Sequence, residues 1–121
     1  SETGRWMPLP NMKHKRTFAA AAVLDGSVYV CGGSTRTMER FSLTLRDWTM
    51  LPPMMHSRSL GTLLPVQGNL YMIGGFNYSE HMVSSLEWFS PTEDRWNGLA
   101  PFPARASYHA VSTHGGHIYM C

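Results

Sequence analysis

The stretch VYVCGG at residues 28–33 returns as LYMIGG at 70–75 and begins again as IYMC at 118–121. Other residues move with it. Trp6, Trp48 and Trp96 are separated by 42 and then 48 residues, and Tyr29, Tyr71 and Tyr119 by the same two intervals. Gly32-Gly33 and Gly74-Gly75 lie 42 apart; Arg16 and Arg58 each stand ten residues after their Trp, and Arg105 nine after Trp96. Phe41 and Phe89 each stand seven residues before a Trp. Markers that shift together define an internal repeat. The two periods differ by six residues, and the difference is local: Gly33 to Phe41 is eight residues, Gly75 to Phe89 fourteen. The second copy therefore carries a longer loop, FNYSEHMV at 76–83, and loops that tolerate insertion are where binding residues gather.

Each copy reads as four short strands. In the first these are TFAAAAVL, SVYVCG, MERFSL and DWTML, with a turn at Asp25-Gly26. In the second they are SLGTLLPV, LYMIG, SLEWFS and RWNGL, with a turn at Gly68-Asn69. β-Branched and aromatic residues between Gly, Pro, Asn and Asp punctuation signal strands, and their even spacing signals an all-β array. The alanine run is too short for a helix, and its counterpart contains Gly61 and Pro65. A unit of about 40–50 residues with four antiparallel strands is a propeller blade. The first strand after each Arg then lies innermost, where small residues such as Ala19 to Ala22, Gly61 and Ala110 fit. Phe41, Trp48, Phe89 and Trp96 belong on the outer strands and between blades. The paired glycines (Gly32, Gly33, Gly74, Gly75) allow close backbone approach or positive φ where the second strand ends.

Composition narrows the function classes. Ten Lys+Arg against eight Asp+Glu give a net charge of +2, too little to imply nucleic acid or an anionic membrane. The longest apolar run, FAAAAVL at 18–24, is far short of the roughly 20 residues of a membrane span. No leader-like segment opens the chain. Two cysteines, Cys31 and Cys121, are too few for a disulfide framework and point to a reducing, cytoplasmic setting.

Arg, YxxGG, aromatic and Trp, in that order and spacing from Trp6 to Cys121, resemble the kelch repeat. Phe41 and Phe89 stand where such repeats often carry Tyr. The stretches MERFSLTLRDWTMLPPM and SLEWFSPTEDRWNGL resemble the kelch-like proteins that join a BTB domain to a propeller of about six blades. The expected organisation is the end of a preceding blade and its linking loop at 1–15, complete blades at 16–57 and 58–104, and the start of a third at 105–121. Cut faces would forfeit large buried side chains, each about 150–250 Å² for an aromatic, and would leave strand edges unpaired. The chain is therefore expected to be part of a larger propeller; the alternative is self-association of copies into a ring.

The residues offer little chemistry. His14 and His56 occupy equivalent loop positions, and His109, His114 and His117 cluster near the end, but no carboxylate or thiolate joins them at metal-ligand spacing. KHKR at 13–16 lacks the interleaved aromatics of a nucleic-acid patch and reads as a solvated loop, with Arg16 pinning the loop between blades. Cys31 matches Ile73 of the next copy, which predicts a buried, inert thiol. Among kelch-superfamily enzymes, copper radical oxidases need Tyr, His and Cys ligands outside the repeat frame, which cannot be assembled from this stretch. No cofactor or metal is expected.

The expected function is a non-catalytic protein-interaction module. The resemblance implies that one face presents two loop sets to a short peptide: 10–18, 52–60 and 100–107, and 34–38 (with Arg36) and 76–83. It also implies ligand contacts two positions after each repeat Arg, at Phe18, Leu60 and Ser107. None is Arg, so the partner motif is expected to carry an apolar anchor. Asn77, Tyr78, Glu80 and His81 would add polar contacts, with Tyr78 contributing most. By resemblance, the propeller recruits substrates to a cullin ubiquitin ligase through a BTB domain that lies outside this chain. The alternatives are a cytoskeletal or scaffolding protein, for instance actin-binding, and a propeller enzyme such as a sugar mutarotase.

Overall fold

The computed structural model describes residues 9–77, 81–82, 86–99, 111–114 and 117–120. Every regular element among them is a strand: β1 (Ala19–Leu24), β2 (Ser27–Gly32), β3 (Met38–Ser42), β4 (Trp48–Leu51), β5 (Thr62–Val66), β6 (Asn69–Ile73), β7 (Phe76–Asn77), β8 (His81–Met82), β9 (Leu86–Ser90), β10 (Arg95–Leu99), β11 (Val111–His114) and β12 (His117–Met120). They form two four-stranded antiparallel sheets, β1-β2-β3-β4 and β5-β6-β9-β10, and two pairs, β7-β8 and β11-β12. No helix of the described residues is long and apolar enough to cross a membrane.

The two hairpins that open the blades show why the chain turns where it does. Asp25 and Gly26 have φ of 48° and 75°, and Gln67 and Gly68 have φ of 48° and 80°. Two consecutive positive values with Gly second make the type I′ turn, whose twist matches that of the strands it joins. The second turn is thus centred on Gln67-Gly68, one residue earlier than its Gly-Asn pair suggests, and Asn69 already pairs with Val66 in the ladder. Pro65 is tolerated because β5 is an edge strand of its sheet. β1 and β5 begin later than their apolar runs because Phe18 and Leu60 adopt left-handed backbone, φ 59° and 63°, which a strand cannot continue.

Alternation along the strands builds the core between the sheets. On β1, β2 and β3, Ala20, Tyr29, Cys31 and Met38 point towards the second blade. On β5, β6, β9 and β10, Leu63, Leu70, Met72, Phe89 and Trp96 point back at them, with Leu51 and Met54 completing the cluster. Tyr29 meets Phe89 across the boundary at 6.4 Å between ring centroids. Within each blade the repeat aromatics pack on each other, Phe41 on Trp48 at 5.2 Å and Phe89 on Trp96 at 5.5 Å. The alanine strand is only half a core: Ala20 is buried, while Ala19 and Ala21 on its opposite side are exposed. β1 lies beside β5, and β5 beside β11, so the first strands of successive repeats are neighbours, as innermost strands must be.

This topology gives the blades two ends. The turns at 25–26, 43–47, 67–68 and 91–94 lie at one end, the turn face. The inter-blade linkers and the β2–β3 and β6–β9 loops lie at the other, the linker face.

Candidate functional site

A buried ion pair organises each of the two described linkers. The Arg58 guanidinium donates through Nη1 to the Gly74 carbonyl at 2.9 Å and through Nη2 to Glu87 Oε2 at 2.8 Å. The same carboxylate accepts the backbone N–H groups of Met55 and His56, at 2.5 and 3.3 Å. Blade one repeats the arrangement. Arg16 donates to the Gly32 and Thr37 carbonyls at 2.9 and 2.8 Å and to Glu39 Oε2 at 2.9 Å, while Glu39 accepts from the N–H groups of Lys13 and His14. Trp48 and Trp96 fasten the other end of each linker, donating from Nε1 to the Pro10 and Pro52 carbonyls at 2.7 and 2.8 Å. Arg16 and Arg58 thus secure the linker to the blade it enters, rather than spanning two blades through their side chains.

Burial pushes the Glu39 carboxyl up, but the donors from Lys13, Arg16 and His14 outweigh it and hold Glu39 below the usual carboxylate range. A lowered folded-state pKa contributes stability that is present above the unfolded value and lost as pH falls through the folded one. The wild type should therefore lose stability through the acid range more steeply than Glu39→Gln. Parallel stability curves for the two proteins between about pH 5 and about pH 2 would show that this carboxylate contributes nothing through its charge.

The paired glycines pack against linker backbone, Gly32 and Gly33 taking the next blade's linker and Gly75 the linker of its own blade. Gly33 and Ser34 donate their N–H groups to the Arg58 carbonyl at 2.8 and 3.4 Å. A Cβ on Gly32 would stand 2.6 Å from that carbonyl oxygen, and one on Gly75 would stand 2.8 Å from the Ser59 carbonyl oxygen. Side chains are excluded at both places because backbone passes there.

Just beyond Arg58 the linker exposes an uncharged cleft. It has a volume of about 480 Å³ and is lined by Thr17, Phe18, Ser34, Ser57, Ser59, Leu60, Phe76 and Asn77. Phe18 and Leu60 are 66% and 56% exposed. The Leu60 N–H donates to the Phe18 carbonyl at 3.0 Å, tying the two together. The floor is crossed by an Oγ–Oγ hydrogen bond of 2.9 Å between Ser34 and Ser59, and Ser59 exchanges both backbone hydrogen bonds with Phe76. The inserted loop is not irregular throughout: β7 pairs with β8 in register Phe76↔Met82 and Asn77↔His81, and the Ser59↔Phe76 bridge extends this small ladder across the linker.

The structure brings Phe18, Leu60 and Asn77 together around one cleft. Asn77 is also a tether, since its amide donates to the Ser57 carbonyl at 2.9 Å. His81 lies on β8, and exposed Arg36 stands two residues beyond Ser34 on the β2–β3 loop. Tyr78, Glu80, Arg105 and Ser107 lie outside the described residues. Glu39 and Glu87 were missed as repeat markers, although each stands two residues before its blade's Phe. The hydroxyl lining was also missed; serines carry no periodic signal.

Burial pushes the Cys31 thiol up to about 12. Its Sγ lies 3.3 Å from Met54 Sδ inside the inter-blade core, where a thiol stays protonated and unreactive. Among the described residues no three His, Cys, Asp or Glu side chains are grouped to hold a metal ion. Among the described residues the cleft lining includes no carboxylate, imidazole, thiol or amine.

Residues 15–55 match the kelch motif family. No curated protein matches the sequence significantly. Among solved structures, that of YjhT superimposes with a TM-score of 0.81 at 22% identity, covering 93% of this chain and 35% of its own. The chain thus spans about a third of the length of that structure. In fold, its antiparallel four-stranded sheets are blades of a kelch-type β-propeller.

Proposed function

We propose that this chain is a protein-interaction module that binds a short partner segment in the linker-face cleft, through Phe18 and Leu60. One observation carries this reading: two large apolar side chains are exposed side by side on left-handed backbone. Each such non-glycine residue costs roughly 1–2 kcal/mol, and neither is repaid by burial. Residues kept in a costly conformation at a cleft point to function. The lining formed by the described residues, apolar and hydroxyl-bearing, supports binding rather than catalysis. Within this class we favour the substrate-recognition propeller of a cullin ubiquitin-ligase adaptor, on the strength of the repeat resemblance alone.

Replacing both residues by glycine separates stability from binding. Phe18→Gly/Leu60→Gly should melt within a few degrees of wild type, because relief of left-handed strain offsets the entropy cost of glycine. Partners cross-linked to the wild-type protein in cells should be lost, with affinity falling at least about tenfold. In the full-length protein a cullin should co-purify with wild type and variant alike, since the adaptor reading puts its contact in a BTB domain outside this chain. A variant that unfolds readily yet retains its partners would show that Phe18 and Leu60 are packing residues.

A further inference from the structure

The outer turn of each blade is built from different residues on one backbone. In blade one it runs Leu43-Thr44-Leu45-Arg46-Asp47, in blade two Pro91-Thr92-Glu93-Asp94-Arg95. Arg46 and Asp94 are both left-handed, with φ of 56° and 57°. Each donates its N–H to the carbonyl of the serine that opens the turn, Ser42 or Ser90, at 2.7 Å. The Leu45 and Glu93 N–H groups donate to the hydroxyls of the same serines, at 3.0 and 3.2 Å. Blade two thus makes this turn without a leucine. Yet Leu43 and Leu45 are 50% and 74% exposed. Leucine is not a turn residue by propensity, and burial does not explain these two.

A blade standing on the open side of blade one would leave the tip of this turn uncovered. Blade one stands on that side of blade two, and Glu93, in the place of Leu45, keeps its side chain 54% exposed. The Leu43 N–H donates to the Gly26 carbonyl at 3.2 Å, which sets the leucines beside the Asp25-Gly26 turn. They stand between two exposed acids, Asp25 on that inner turn and Asp47 just before β4. Arg46 lays its guanidinium over the Phe41 ring, 6.0 Å from the centroid.

We propose that the Leu43–Leu45 turn is a second docking site, which enters an apolar pocket of a folded protein partner whose rim carries Lys or Arg. A tight turn closed by its own hydrogen bonds is convex, so what receives it is concave. Two leucines call for an apolar floor, as desolvated anchors do at interfaces. The two acids call for a cationic rim, which orients the partner and speeds encounter. The same acids oppose insertion into an anionic membrane. The site lies on the turn face and is independent of the Phe18–Leu60 cleft.

The test places a photoreactive residue at the tip. Leu45→benzoylphenylalanine, introduced into the full-length protein in cells, should give one predominant protein adduct on irradiation. Glu93→benzoylphenylalanine, on the matching turn, should not. With that partner purified, Leu43→Ser/Leu45→Glu should weaken binding about tenfold or more, Leu45→Gln alone about threefold or more, and Asp25→Asn/Asp47→Asn severalfold. The turns should survive these changes: Ser keeps the N–H of position 43, blade two already carries Glu at the tip, and Asn suits the left-handed backbone of Asp25. Phe18→Gly/Leu60→Gly should leave this affinity unchanged. An adduct no stronger from position 45 than from position 93 overturns the proposal. So does an adduct formed only with lipid or with a second copy of the chain, or a partner that binds the leucine variants as tightly as wild type. A partner that needs the leucines but is indifferent to Asp25→Asn/Asp47→Asn overturns the cationic rim.

Discussion

Substituting Arg58→Met should destabilise the protein by about 3–5 kcal/mol, a large share of a typical domain's stability. The guanidinium and the Glu87 carboxylate are both fully buried, so removing the first leaves the second without its counter-charge. Buried ion pairs can often be replaced by apolar residues of similar size at no loss. This one should not be. Glu87 also accepts the N–H groups of Met55 and His56, and Arg58 serves the Gly74 carbonyl. In Arg58→Met/Glu87→Leu those three backbone groups lose these partners, and each that water does not reach costs about 1–3 kcal/mol. The double variant should therefore remain several kcal/mol below wild type in urea unfolding. Recovery of wild-type stability in the double variant would reduce the pair to ordinary charge compensation.

Gly32→Ala should be the most damaging single methyl group in blade one. Its φ is 80°, and the added Cβ would meet the Arg58 carbonyl oxygen at 2.6 Å, with backbone rather than a flexible side chain in the way. Relief requires moving the linker that carries Leu60. The expected cost is about 3 kcal/mol or more, together with loss of partner binding. Gly26→Ala is the control. It has a similar φ of 75°, but no atom lies within 4 Å of its added Cβ, so only the left-handed penalty of about 1 kcal/mol applies. Equal melting temperatures for the two variants would show that the close approach at Gly32 is inconsequential.

The blades were legible in the sequence because their markers carry period as well as identity. Tyr29, Phe41, Trp48 and the glycine pair recur at intervals that leave few other folds, and strand limits differed from expectation chiefly at Phe18, Leu60 and the Gln67-Gly68 turn. Backbone handedness at a phenylalanine or a leucine has no sequence signature, so the cleft's shape could not be read; the resemblance alone pointed to the positions two residues after Arg16 and Arg58. The β7–β8 ladder is too short to show alternation. Glu39 and Glu87 were legible in principle, at a fixed offset from Phe41 and Phe89, but a carboxylate in a strand reads as solvent-facing until its donors are seen.

Arg58 has a consequence for anyone who wishes to cut or graft this chain. Its carbonyl holds the amides of Gly33 and Ser34 in one blade, while its guanidinium holds the Gly74 carbonyl in the next. The unit that repeats in the sequence is therefore not a unit that can be exchanged: a module boundary drawn at residue 57 severs neighbours that share one residue's two ends. Permutation points, epitope tags and reporter insertions belong at the opposite end, at the Asp25-Gly26 and Gln67-Gly68 turns, where space around both glycines is open. A fluorescent domain placed there would report on the intact blade pair without touching the linker-face cleft.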